Sequence, residues 1–358
     1  MDLAGGVFAA GIAFACAVAG SDVDAAEAPL PAPAPAPVGV FGVDMPAQDR
    51  LVLSLSPSFT RQQGNLIGSR SVTPLEIIST VSSPYTPVGD HPLRMAPQSL
   101  SVDSLGIGAA YGLSRDVTVG LSTVVQQRSV HMQTFSGLSG STSLGYSDGT
   151  TTGLGDTTVS TIVKVFQSRT YRLNVNFGLS LPTGGVTETF NLLTPSGTAP
   201  TKRAFYALQL GSGTVDAMPG FALIGASGAW SWGVGYRGRL PLDTNGQGWR
   251  FGALEEANAW GEYAWAPGLE TTLRVNGSTQ GRISGDDPQI RGYGQSVDPR
   301  FYGGDQISLF GGLIIGGRYF GVNAAQFGLE GGEPVYQRLN GPQLGRAWQL
   351  NMALRYRL

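Results

Sequence analysis

The sequence predicts an all-β fold: a closed antiparallel transmembrane β-barrel of about 12 strands. Three observations predict it. Apolar residues recur with a period of two in many separate segments. The connections between those segments alternate between short and long. Charged residues make up only 13% of the chain, about half the share found in ordinary globular proteins.

Composition narrows the class further. The chain has 358 residues, 53 of them Gly, and an ordinary hydrophobic share of 41%. Disordered chains carry few aromatics and a high net charge; this one has 6 Trp, 12 Tyr and 15 Phe with a net charge of -2. A near-neutral chain offers no basic patch, so no nucleic-acid partner is expected. Cys16 is the only cysteine. A disulfide framework, a cysteine zinc site and a cysteine nucleophile are therefore excluded downstream of it.

The N-terminus reads as an export region. Residues Leu3 to Gly20 are apolar or small, and Ser21 to Ala28 offers small-residue cleavage points after Gly20, Ala26 or Ala28. Asp2, with no Lys or Arg beside it, departs from the usual basic start. A retained membrane helix, or a lipid anchor on Cys16 within Ala13-Phe14-Ala15-Cys16, are the alternatives. From Leu30 to Pro37, Pro and Ala alternate, which favours an extended polyproline spacer. The expected organisation is a signal peptide at 1–28, a periplasmic spacer at 29–39 and a barrel at 40–358. No later stretch reaches the roughly 18 consecutive apolar residues of a membrane helix.

The strands follow in order. Leu51, Leu53, Leu55 and Phe59 mark the first. Leu105 to Tyr111, Val117 to Val125 and Val159 to Val165 mark the next three. The clearest is Tyr171 to Leu181, where Tyr171, Leu173, Val175, Phe177, Leu179 and Leu181 alternate with Arg172, Asn174, Asn176, Gly178 and Ser180. Val215 to Leu223, Trp230 to Tyr236, Ala257 to Trp265, Leu269 to Val275, Ile307 to Ile315 and Ala325 to Leu329 continue the pattern. Trp348 to Leu358 ends it, with Gln349, Asn351, Ala353, Arg355 and Arg357 on the opposite face. Short turns fall near 113–115, 167–170, 225–228, 266–268 and 316–321, and long loops are expected at 60–98, 129–154, 182–213, 241–250, 280–304 and 332–346. An even strand number puts both barrel ends on the periplasmic side.

A greasy strand face needs either lipid or a second sheet. In lipid the sheet must close, because every backbone group needs a partner inside the protein. A soluble sandwich or soluble barrel is the competing reading. Aromatics beside the short turns favour lipid: Tyr111, Phe166, Tyr171, Trp230, Trp232, Trp265 and Phe320. Of these, Tyr111, Tyr171, Trp230, Trp232 and Trp265 form the expected interfacial girdle. Outer-membrane lipid is thus an expected partner. The last strand, with Tyr356 and Leu358, is the expected signal to the barrel-assembly machinery, although a terminal aromatic is the commoner ending.

Lys or Arg facing lipid at mid-membrane costs about 2–4 kcal/mol. Parity therefore assigns Lys164, Arg172, Glu256, Glu262, Glu270, Arg274, Arg355 and Arg357 to the lumen. They serve there as an internal ion-pair network, as a charged constriction that selects solutes, or as both.

Several stretches resemble, in order, an outer-membrane family named for the MetA pathway of phenol degradation. They are Gly153-Leu154-Gly155-Asp156-Thr157, Leu179-Ser180-Leu181-Pro182-Thr183-Gly184, Leu208 to Thr214, Met218-Pro219-Gly220, Trp230-Ser231-Trp232-Gly233, Pro334-Val335-Tyr336-Gln337 and Gly341-Pro342-Gln343-Leu344. The resemblance covers roughly residues 38 to 358. It implies an outer-membrane transporter of small, aromatic or hydrophobic molecules. Family members often carry a His- and Met-rich stretch near the first strand. Here Gly39 to Arg50 keeps only Asp44 and Met45, with His91, Met95, His131 and Met132 later.

The remaining motifs are weak. His91 and His131 are the only histidines, too few for a convergent metal site. Asp286, Asp287 and Asp298 lack a calcium-loop spacing. Glycine runs at Gly153 to Gly155 and Gly311-Gly312 have no helix after them, which a phosphate cradle requires. No Gly-x-Ser-x-Gly elbow is placed for a hydrolase. No catalytic residue, metal or cofactor is expected. The expected function is a channel or transporter for small-molecule solutes in the bacterial outer membrane. A non-conducting structural or partner-binding barrel is the alternative, and an outer-membrane hydrolase the third.

Overall fold

The computed structural model describes residues 36–358. The expected signal segment, with Cys16, and the expected spacer up to Pro35 lie outside the described residues. The long strands are β1 (Leu51–Gly68), β2 (Met95–Gly112), β3 (Val117–Phe135), β4 (Ser143–Leu154), β5 (Thr157–Gln167), β6 (Tyr171–Leu181), β7 (Asp216–Ser227), β8 (Trp230–Pro241), β9 (Leu254–Ala266), β10 (Leu269–Gln280), β11 (Gly304–Gly316) and β12 (Ala325–Arg357).

Eleven of these form one antiparallel circuit, from β12 through β11, β10, β9, β8, β7, β6, β5, β3 and β2 to β1, and β1 pairs with β12 to close it. β4 pairs with β3 above the point where β5 takes over, so the wall steps at Gly155-Asp156. The 33 residues of β12 run up and back. Its first arm pairs with β11 and its second with β1, and the Arg357 amide donates to the Ala324 carbonyl at 2.9 Å where the two ends meet. Counting both arms, twelve strand passes enclose the lumen. A closed ladder leaves no strand edge in the hydrocarbon, which is what lipid demands.

Burial is inside out relative to a soluble protein. On β6, Val175 and Phe177 are 43% and 52% exposed, while Asn174 and Asn176 are 0% and 3% exposed. Leu53, Leu55, Ile107, Leu121, Leu273 and Leu354 are likewise exposed on the outer face. A soluble sandwich would bury these side chains against a second sheet, so that reading is overturned.

The strands reach further than the alternation does. β1, β2 and β3 are 18, 18 and 19 residues long, against the roughly 9–11 residues that cross a bilayer. The loops expected at 60–98, 129–154 and 332–346 are therefore largely strand. The physical reason is that a strand above the lipid keeps its hydrogen-bond ladder but no longer needs a greasy outer face. Arg61, on the outward face of β1, marks this boundary: it pairs with Asp103 and lies 5.5 Å from the Trp348 ring centroid.

The loops at 182–215 and 281–303 fold into the mouth of the barrel. Phe205, Tyr206, Leu208, Ile290 and Val297 form a buried apolar cap with Trp249, Met95 and Met132. The Tyr206 ring stands edge-on to Trp249 and Tyr302, at 5.0 and 5.6 Å. A seven-residue helix, α1 (Pro74–Thr80), buries Ile77 and Ile78 beside this cap. The Thr73 side chain accepts its Glu76 amide at 3.2 Å, a standard N-cap.

Candidate solute passage

The first described residues, 36–49, cross the lumen before β1 begins. Val40 and Val43 are buried against Ala222, Ile224 and Trp260, which point inward from β7 and β9. Arg172 donates to the Val43 carbonyl at 2.7 Å, and Asn174 donates to the Gly42 carbonyl at 2.8 Å. Asp44 pairs with Arg355 at 2.5 Å. The segment leaves along β2, where the Asp49 amide donates to the Gly112 carbonyl at 2.8 Å. Two glycines permit this fit. A side chain at Gly39 would start 2.3 Å from the Arg274 guanidinium, and one at Gly42, whose φ is +84°, would start 2.7 Å from Asn176. The described residues 36–39 of the Pro/Ala-rich spacer expected at 29–39 lie inside the barrel.

A polar network fills the β9 to β12 side of the lumen. Arg274 makes a two-pronged contact with Glu330, at 2.5 and 2.9 Å, and donates to Asn258 at 2.7 Å. Its guanidinium also lies 4.1 Å from the Phe310 ring centroid. Asn351 donates to Glu330 at 3.2 Å and accepts from Ser58 at 2.8 Å. Glu256 pairs with Arg237. Glu262 accepts from Ser231 at 3.2 Å, and one oxygen of buried Glu270 has no hydrogen-bond partner. Lys164 pairs with Asp116 at 2.9 Å, next to a turn. Arg357 is exposed, one residue from the chain's end.

The opposite side, β1 to β6, presents small side chains, and a cavity of about 450 Å³ opens there. Ser54, Ser56, Ser122 and Thr158 line it with Met218 and Phe251. Arg128, Asp156 and Arg239 stand at its upper end, beside Leu210 of the inward loop. Asp156 binds that loop: it accepts from the Gly184 amide at 3.2 Å and from the Ser212 amide and hydroxyl at 2.9 and 2.8 Å. Arg239 bridges Asp156 and Asp216, at 2.8 and 2.5 Å. Arg128, Asp156, Asp216, Arg239 and Glu330 escaped the sequence reading. Continuing the inward parity of β3, β8 and β12 by one or two positions would have found Arg128, Arg239 and Glu330.

The aromatics of the expected girdle gather at the short-turn end. Trp230, Tyr263 and Trp265 form a row with ring centroids 4.8 Å apart at each step. Tyr171 stands edge-on to Trp232 at 6.3 Å, and the Tyr111 hydroxyl donates to Asp49 at 3.2 Å.

The loop candidates are engaged locally. His131 contacts Asp148 at 2.7 Å and stacks on Tyr146 at 4.9 Å. His91 lies 5.8 Å from the Tyr293 ring. Asp286 pairs with Arg291 at 2.8 Å, and Asp298 with Arg300 at 2.6 Å. No cluster of three or more metal-ligating side chains occurs among the described residues. In the cap, burial pushes the Tyr206 and Tyr302 hydroxyls well above the usual tyrosine range.

No protein-family model and no curated relative matches the chain. Among solved structures, the COG4313 outer membrane channel from Pseudomonas putida F1 shares the fold. Its TM-score is 0.55 over 88% of this chain and 97% of that one, at 15% identity. The chain is an outer-membrane β-barrel. More distant likenesses are the β domain of the Bordetella autotransporter BrkA, and the Pseudomonas putida toluene transporter TodX. The first has a TM-score of 0.44, 10% identity, and coverage of 86% and 99%. The second has 0.36, 11%, and coverage of 87% and 89%.

Proposed function

We propose that this barrel is a passage for small aromatic or otherwise apolar solutes across the outer membrane. One observation carries the reading: a cavity of about 450 Å³ lies inside a closed wall, beneath the inward-folded loops that supply Leu210 and Phe251 to its lining. That volume falls within the roughly 300–1,000 Å³ typical of small-molecule sites. Met218 and Phe251 give the cavity an apolar side and its hydroxyls a polar one, so a solute can slide without a single deep trap. The resemblance to the phenol-degradation family supports an aromatic or hydrophobic cargo, and the fold shared with an outer-membrane channel is consistent with passage.

The test is single-channel conductance of the refolded barrel in a planar bilayer, with and without aromatic solutes. Steady openings that aromatics block are expected. The cap and the inserted segment also favour a second reading, a non-conducting barrel whose outer loops bind a partner. A silent bilayer holding correctly folded protein would select that reading instead.

A further inference from the structure

We infer that the lumenal cavity selects amphipathic organic acids, with Arg128 receiving the carboxylate and the apolar body lying against Met218 and Phe251. The inference rests on the passage reading and names the solute class for it.

Arg128 is a lumenal cation whose hydrogen bonds all go to neutral groups. It lines the cavity. Its Nε and Nη2 donate to the Gln126 side-chain oxygen at 3.2 and 3.1 Å, and its Nη1 donates to the Ala207 carbonyl at 2.8 Å. No carboxylate lies within ion-pair distance of it among the described residues. A guanidinium has five N–H groups, so two are left for a solute.

Asp156 on the cavity wall and Asp216, both held by Arg239, are already committed. Asp156 receives the Gly184 and Ser212 amides, the Ser212 hydroxyl and Arg239. Asp216, 1% exposed, receives Thr214 at 2.6 Å and Arg239 at 2.5 Å. Arg239, the other cation of the cavity, is thus satisfied by two carboxylates, while Arg128 has none. A solute carboxylate would make a charge-assisted contact with Arg128, stronger than its present neutral ones. The flanking serines and Thr158 accept the solute's partial polarity, and Met218 and Phe251 take its hydrocarbon or ring. A solute lacking the acid forgoes that contact and leaves the cation unmatched.

The experiment compares phenylacetate with phenylacetamide, a pair of equal size that differs in charge. Binding to the refolded full chain is measured by calorimetry, and conductance block is measured in parallel. The wild type is expected to bind the acid at least about tenfold more tightly than the amide. Arg128→Gln is expected to remove that preference while amide affinity stays within about twofold. Arg128→Lys is expected to keep part of it.

Because Arg128 also holds Ala207, loss of both ligands together in Arg128→Gln would assign it to loop anchoring and overturn the inference. Equal affinity for acid and amide in the wild type would overturn it as well. A conducting barrel without acid preference leaves the passage reading standing. A silent barrel that still binds phenylacetate through Arg128 keeps the site and sinks the passage.

Discussion

The guanidinium of Arg172 on β6 reaches the carbonyl oxygen of Val43 at 2.7 Å, tying a segment that precedes the first strand to the far wall of the lumen. The tie blocks part of the cross-section by backbone rather than by a side-chain ring. Such a plug can be moved without unfolding the wall, because the wall's ladder closes independently of it.

Gly42→Val should dislodge this segment. The backbone there has φ of +84°, and a side chain would meet Asn176 at 2.7 Å. β-branched residues are strained at positive φ. The expected result is a larger single-channel conductance with unchanged heat stability of the barrel. Conductance identical to wild type would show that the segment does not limit flow.

Breaking the Arg274–Glu330 pair should be costly. Both side chains are almost fully buried, at 4% and 1% exposure. Glu330→Gln leaves the cation without its counter-charge, for which about 3–5 kcal/mol is expected. Replacing both together, as Arg274→Met with Glu330→Leu, should recover most of that loss. Urea unfolding from lipid bilayers reads both values. A double variant no better than the single one would contradict the assignment.

The two faces of the wall should respond oppositely to charge. Phe177→Arg places a cation against lipid and should destabilise by about 2–4 kcal/mol. Ser122→Lys projects into the cavity and should cost less than about 1 kcal/mol while altering ion selectivity. Equal losses for the two variants would mean that the faces are misassigned.

The cap should loosen in alkali while the barrel persists. Tyr302 donates to the Ser296 carbonyl at 2.7 Å, and Tyr206 accepts from the Asp287 amide at 3.0 Å. Burial raises both hydroxyls above the unfolded tyrosine value of about 10. A group with a raised folded value contributes stability that is fully present below its unfolded value and is lost as pH climbs towards the folded one. Proteolysis of the 281–303 loop should therefore accelerate above about pH 10. The Tyr206→Phe, Tyr302→Phe double variant should lose that acceleration, at a cost of about 1 kcal/mol per hydrogen bond at lower pH. An unchanged pH profile in the double variant would remove the tyrosines from the explanation.

Much of the wall was legible before any coordinates. On β6, Val175 and Asn174 had to face opposite ways because strand side chains alternate, and lipid decides which way is out. The same rule placed Arg274 and Glu256 opposite the greasy residues. It failed above Arg61 and Asp103, where water bathes both faces and alternation stops while the ladder continues. For that reason the alternation covers only part of β1 and β3, and Arg128 lies beyond it, whereas Glu330 sits one position past the apolar run that ends at Leu329.

The sequence by itself determined the class of fold, the membrane-facing surface and the approximate strand count, since each follows from a local period of two and from the cost of charge in lipid. Only the tertiary structure decided what fills the lumen. The meeting of Arg172 with Val43, of Arg274 with Glu330, and of Asp156 with Ser212 and Arg239 joins residues from 56 to 129 positions apart. Closure of the wall brings these groups together, and no local period encodes them.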